Sequence, residues 1–150
     1  FTTVHPNLGV MELCDDRRCT LADIPGLIEG AHRGAGLGDR FLRHIERTRL
    51  LVHLVAPSDT EPRVEPENLQ EALRLVNEEL RLYSDQIAAR PQIVCLTKCD
   101  LLTPHEREEG LRALSSAGTT PLAISSTTRE GLGDLRLAIE KALNQLSAEA

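Results

Sequence analysis

Along the chain, apolar residues alternate between short continuous runs and helical spacings. Leu8–Leu13 and Cys19–Asp23 are short β-like runs, and the polar Asp15–Arg18 between them reads as a hairpin turn. Glycines at 26, 30, 34, 36 and 38 leave Gly26–Gly38 without the pattern of a regular element. Asp39–Thr48 then reads as a helix carrying Phe41, Leu42 and Ile45 on one side. Leu50–Ala56 is a continuous apolar run ending at Pro57, the pattern of a strand covered on both faces. Pro57–Pro66 holds three prolines among charged residues and reads as a loop.

Leu69, Leu73, Val76, Leu80 and Tyr83 recur at helical spacing, which predicts a helix over Glu67–Tyr83. Ile93–Thr97 reads as a second buried strand. Thr103, Pro104 and Glu106 form a capping box with proline at the first helical position, so a helix starts there. Leu122–Ile124 is a short strand, and Leu132, Leu135, Ile139, Leu143 and Leu146 mark a closing helix. This alternation predicts an α/β sandwich with a mainly parallel sheet and helices on both faces. In such sheets ligands bind beyond the carboxyl ends of the strands, which directs attention to the residues just after each strand.

Composition narrows the picture by exclusion. The chain has 150 residues, the size of one domain, with 41% hydrophobic and 27% charged residues, so it is not of disordered type. Seventeen basic against 23 acidic residues give a formal charge of −6, which argues against a general nucleic-acid coat. No apolar run approaches the roughly 20 residues of a membrane span, and a cytoplasmic protein without membrane contact is expected. With two Phe, one Tyr and no Trp, the core must be aliphatic. Neither Cys14 and Cys19 nor Cys95 and Cys99 have the spacing of a zinc site, so buried or half-buried thiols without disulfides are expected.

Three strand ends carry chemistry. Asp23-Ile24-Pro25-Gly26 offers a carboxylate able to hold Mg²⁺ through water and a glycine N–H that a phosphate can approach. Thr97-Lys98-Cys99-Asp100 places a carboxylate where it can accept from the N1–H and N2–H₂ edge of guanine, while the lysine stem covers the base. Adenine lacks that donor pair, so one aspartate discriminates strongly. Ser125-Ser126-Thr127 offers backbone N–H groups to the guanine carbonyl. Each motif alone is common by chance, but their order at successive strand ends is not.

Together with Thr2-Thr3, these motifs resemble the switch, magnesium, guanine-specificity and base-support elements of a GTPase domain. The stretch from Phe1 through Thr3, Pro6 and Gly9 to Val10, and the block Asp23–Arg49 with its Glu29-Gly30-Ala31 and Gly34-Ala35-Gly36-Leu37-Gly38, is similar to the Obg family of large-ribosomal-subunit assembly GTPases. The resemblance covers essentially the whole chain and implies a P-loop-NTPase-like three-layer sandwich that binds GTP or GDP with Mg²⁺. It implies that Thr3 ligates Mg²⁺ directly and that Asp23 holds it through water. By the same resemblance Phe1, Thr2, Val4 and His5 would flank the switch threonine at the nucleotide. Ile24, Pro25 and Gly26 would meet the phosphates, Thr97, Lys98, Cys99 and Asp100 the base, and Ser125, Ser126 and Thr127 its carbonyl side. Gly26–Gly38 would be the second switch. Leu27 stands where many GTPases place a water-orienting glutamine, so the group that orients water is not assigned, and no catalytic residue is identified.

The sequence departs from the family pattern at Thr97, where asparagine is usual, at Ser126, where alanine is usual, and at Ala56, where the strand usually ends in aspartate. More consequentially, no Gly-x4-Gly-Lys-[Ser/Thr] occurs in the 150 residues. That loop supplies the phosphate nest, and losing several charge-assisted bonds of about 1.5–3 kcal/mol each would weaken binding by orders of magnitude. Two expectations follow. One is a single incomplete Obg-type GTPase domain, lacking the first central strand and first helix, whose parent hydrolyses GTP during large-subunit assembly. The other is a non-enzymatic remnant that binds ribosome or protein. The arginines at 40, 43, 47 and 49 are expected on a solvated helix face rather than on RNA, and His32 in a mobile loop rather than at the nucleotide.

Overall fold

Two consecutive aspartates turn the first hairpin. Asp15 and Asp16 have φ of 61° and 58°, left-handed values that short polar side chains accept more readily than bulky ones. They lie in a 3₁₀ turn over Cys14–Asp16, closed by Leu13 N–H donating to the Arg17 carbonyl at 2.8 Å. The turn joins β1 (Asn7–Glu12) to β2 (Arg18–Asp23), an antiparallel pair in which Asn7 faces Asp23 and Glu12 faces Arg18. The computed structural model describes residues 7–23, 45–116 and 119–149.

The chain divides into two compact units: Phe1–Arg49 with Leu75–Arg90, and Leu50–Arg74 with Pro91–Ala150. The hairpin belongs to the first. There too lie the second half of α1 (Pro66–Tyr83) and the short α2 (Asp85–Ala88), where Ile87 is buried. No periodicity marks α2, because four residues are too few for a helical period to register. The expected Asp39–Thr48 helix is helical at Ile45 and Glu46, and residues 39–44 lie outside the described residues. Arg90 closes its end, donating to the carbonyls of Ile45 and Glu46 and to Thr48 Oγ1.

The second unit is an α/β layer of the P-loop-NTPase-like kind. Its parallel sheet runs β3 (Leu51–Val55), β4 (Gln92–Leu96), β5 (Leu122–Ala123) and is flanked by helices, with α3 (Pro104–Leu114) against β4 and β5 and α4 (Leu132–Glu149) closing the chain. Leu51 pairs with Gln92 and Val55 with Leu96, and Leu96 pairs in turn with Ala123. The core gathers Val55, Val64, Leu69, Val94, Leu96 and Leu114, each residue worth about 1.5–3 kcal/mol when fully buried. As composition required, it is aliphatic. Gly110 lets α3 approach closely: a Cβ there would meet Leu96 Cδ2 at 2.8 Å.

One expectation needs correction. The Leu50–Ala56 run suggested a strand covered on both faces, yet Leu54 is 57% exposed. Side chains alternate along β3, so Leu51 and Val55 are buried on one face while Leu54 stands exposed on the other. β4, between two strands, matches the expectation: Val94, Cys95 and Leu96 are all buried.

Candidate functional site

Because the three strands run parallel, their carboxyl ends share one edge of the sheet, and the loops that follow them meet there. After β4 the chain turns sharply. Lys98 adopts φ 54°, a left-handed conformation costing about 1–2 kcal/mol for a side chain of this kind, and a 3₁₀ turn follows over Cys99–Leu101. Thr97 holds the strand end: its N–H and its hydroxyl both donate to the Val55 carbonyl, at 2.9 and 3.3 Å. The threonine that replaces the usual asparagine therefore ties β4 to β3.

Asp100 and Ser125, which the sequence placed at different strand ends, are brought together. Ser125 is fully buried, and its hydroxyl donates to Asp100 Oδ1 at 2.7 Å while accepting from the Thr128 N–H at 3.1 Å. The Cys99 N–H donates to the Ile124 carbonyl at 3.1 Å, a second tie between the same two loops. The Asp100 carboxylate is thus exposed to solvent yet fixed in direction by a buried hydroxyl. Ser126 and Thr127 stand exposed beside it. Lys98 extends over the surface to Asp59, in the loop after β3, at 3.6 Å. Both partners are largely exposed, so this pair contributes little to stability.

Sequence reasoning missed two residues behind these loops, Arg107 on α3 and Glu130 in the turn after β5. Arg107 forks onto Glu130, donating from Nη1 and Nη2 to the two carboxylate oxygens at 2.8 and 3.0 Å, and Nη2 also donates to the Cys99 carbonyl at 3.2 Å. The buried Cys99 thiol donates to Glu130 Oε2 at 3.4 Å. The Arg107 hydrogen bonds, with that of Cys99, hold the Glu130 carboxyl below its ordinary range, while burial and the Glu130 contact push the Cys99 thiol up. Nothing in the spacing of an arginine and a glutamate 23 positions apart announces such a pair.

Of the other expected site residues, Asp23 alone is among the described ones. Asp23 is exposed at the end of β2, in the first unit, and is described there by itself. Its hard oxygen donor suits a magnesium ion held through water. Among the described residues, no group of three or more His, Cys, Asp or Glu side chains is placed to hold a metal. Phe1, Thr2, Thr3, Val4, His5, Ile24, Pro25 and Gly26, the glycine-rich segment 26–38 with Leu27 and His32, and Arg40 and Arg43 lie outside the described residues. Arg47 and Arg49 are exposed, in the turn and bend that follow the helical Ile45 and Glu46. Among the described residues, no helix is long and apolar enough to cross a membrane.

A family model described as 50S ribosome-binding GTPase matches residues 1–98. The match includes Asp23 and ends at Lys98, so the Asp100–Ser125 pair lies beyond it.

Proposed function

Since this chain belongs to the 50S ribosome-binding GTPase family, we propose that its 150 residues form part of one GTPase domain of the Obg type, whose parent binds and hydrolyses GTP in assembling the large ribosomal subunit. The observation that carries the reading is the exposed Asp100 carboxylate held by the buried Ser125 hydroxyl at the carboxyl edge of a parallel sheet. A fixed carboxylate there accepts from the paired N1–H and N2–H₂ donors of guanine and leaves adenine unmatched. Lys98 covers the base with its stem, Cys99 and Thr97 hold the turn, and Ser126 and Thr127 support the base carbonyl.

The residues at the other end of the nucleotide follow from the same reading. Thr3 ligates Mg²⁺ and Asp23 holds it through water, with Phe1, Thr2, Val4 and His5 beside the switch threonine and Ile24, Pro25 and Gly26 at the phosphates. The ion, when bound, neutralises phosphate charge. With Leu27 after Gly26, the group that orients the attacking water comes from elsewhere. The parent acts in the cytoplasm on the ribosome.

Base selectivity tests this reading without relying on tight phosphate binding. Asp100→Asn replaces one acceptor by a donor, matching the second carbonyl of xanthine in place of the guanine amine. The expected outcome is that GDP binding falls and XDP binding rises, by about tenfold or more each, in calorimetric titrations with Mg²⁺. A wild-type chain that binds GDP and ADP alike would sink the proposal.

A further inference from the structure

We propose that Arg107 and Glu130 are positioning residues for base selectivity, a clamp that locks the Asp100 turn to the Ser125 turn from behind without touching the nucleotide. The inference rests on the guanine reading of Asp100. It is carried by geometry that this reading leaves unused. The Arg107 guanidinium holds three acceptors at once: both carboxylate oxygens of Glu130, at 2.8 and 3.0 Å, and the Cys99 carbonyl, at 3.2 Å. One of those acceptors lies in the Asp100 turn, and the other two belong to the loop that follows Ser125.

Glu130 closes the circuit. Its own carbonyl accepts from the Ser125 N–H at 2.9 Å, and its Oε2 accepts from the buried Cys99 thiol at 3.4 Å. Arg107 fixes Glu130, Glu130 fixes the backbone of Ser125, and the Ser125 hydroxyl fixes Asp100 Oδ1 at 2.7 Å. Each loop also contains a residue in a left-handed conformation, Lys98 at φ 54° and Arg129 at φ 66°. Such backbone persists only where the surroundings over-determine it, and the clamp is what surrounds these two turns. A planar fork suits the task because it restrains both distance and direction, whereas a single ammonium would restrain distance alone.

The consequence falls on discrimination. IDP lacks the 2-amino group of GDP and keeps N1–H, so the ratio of GDP to IDP affinity reads how well the Asp100 carboxylate is aimed. In Glu130→Gln and in Arg107→Lys this ratio is expected to narrow by about threefold or more, with the charge of arginine kept in the second variant. Hydrogen exchange supplies a readout independent of nucleotide. The amides of Cys99, Ser125 and Thr128 should exchange faster in both variants, and those of α4 should not. A wild-type chain that prefers GDP, with variants that keep both the ratio and the protection, overturns the clamp and leaves the guanine reading standing. A wild-type chain that binds GDP and IDP equally removes the guanine reading and the positioning role with it. Where one variant unfolds, the other decides, and a ratio that narrows only in step with a lost melting transition counts against the clamp.

Discussion

At the scale of single residues, backbone conformation decides more than chemistry does. Gly131, with φ of 76°, begins the turn into α4, and a Cβ there would lie 2.1 Å from the Ala123 carbonyl oxygen. Neither the angle nor the space admits a side chain. Gly131→Ala is therefore expected to lose about 2–4 kcal/mol, lowering the melting temperature by roughly 5–15 °C. Gly133→Ala, at a position with nothing within 4 Å of the new Cβ, serves as the control and should melt at or above the wild type. An equal loss in both would refute the steric account. From the sequence, both glycines looked alike. Only the strand passing behind Gly131 distinguishes them. Asp100 is the converse case: its residue type and its place after a strand point to it as a candidate base reader, and its tether to Ser125 was not readable.

Elements were legible wherever a local hydrogen bond or a long period defines them. The capping box is present as the spacing required, with the Glu106 N–H donating to Thr103 Oγ1 at 3.2 Å and the Thr103 N–H donating to Glu106 Oε2 at 2.7 Å. Pro104 takes the first helical position. Thr103→Ala should cost about 1 kcal/mol, or about 2–4 °C in melting temperature. Thr103→Ser, which keeps the accepting oxygen, should lose clearly less in the same denaturation series. The Glu67–Tyr83 helix begins one residue earlier than its period implied, at Pro66, and its marked face buries Leu69 and Leu80. The strands were less secure. β3 has the composition of a strand covered on both faces yet leaves Leu54 exposed, because composition reports what a strand tolerates and the layers packed on it decide what is covered.

At the scale of the molecule, the four cysteines show how burial separates groups that the sequence leaves equivalent. None forms a disulfide. Cys14 is exposed at the hairpin turn, contrary to the expectation of half-buried thiols, because the turn projects it. Cys19 is half-buried, and Cys95 and Cys99 are buried, the Cys95 thiol pushed up to about 11 by desolvation. A disulfide reagent near neutral pH should label Cys14 first and Cys19 more slowly, and should reach Cys95 and Cys99 only as the sheet unfolds. Native labelling of Cys95 as fast as Cys14, followed by mass spectrometry, would contradict this core. Sequence alone determined the α/β alternation and the helix cap, which depend on neighbours within a few residues, the aliphatic core, which follows from composition, and the order of chemical groups along the chain. Tertiary structure alone decided which of those groups meet. The Ser125 hydroxyl on Asp100 and the Arg107 fork on Glu130 join residues 25 and 23 positions apart, and only parallel strand pairing brings such partners to one edge.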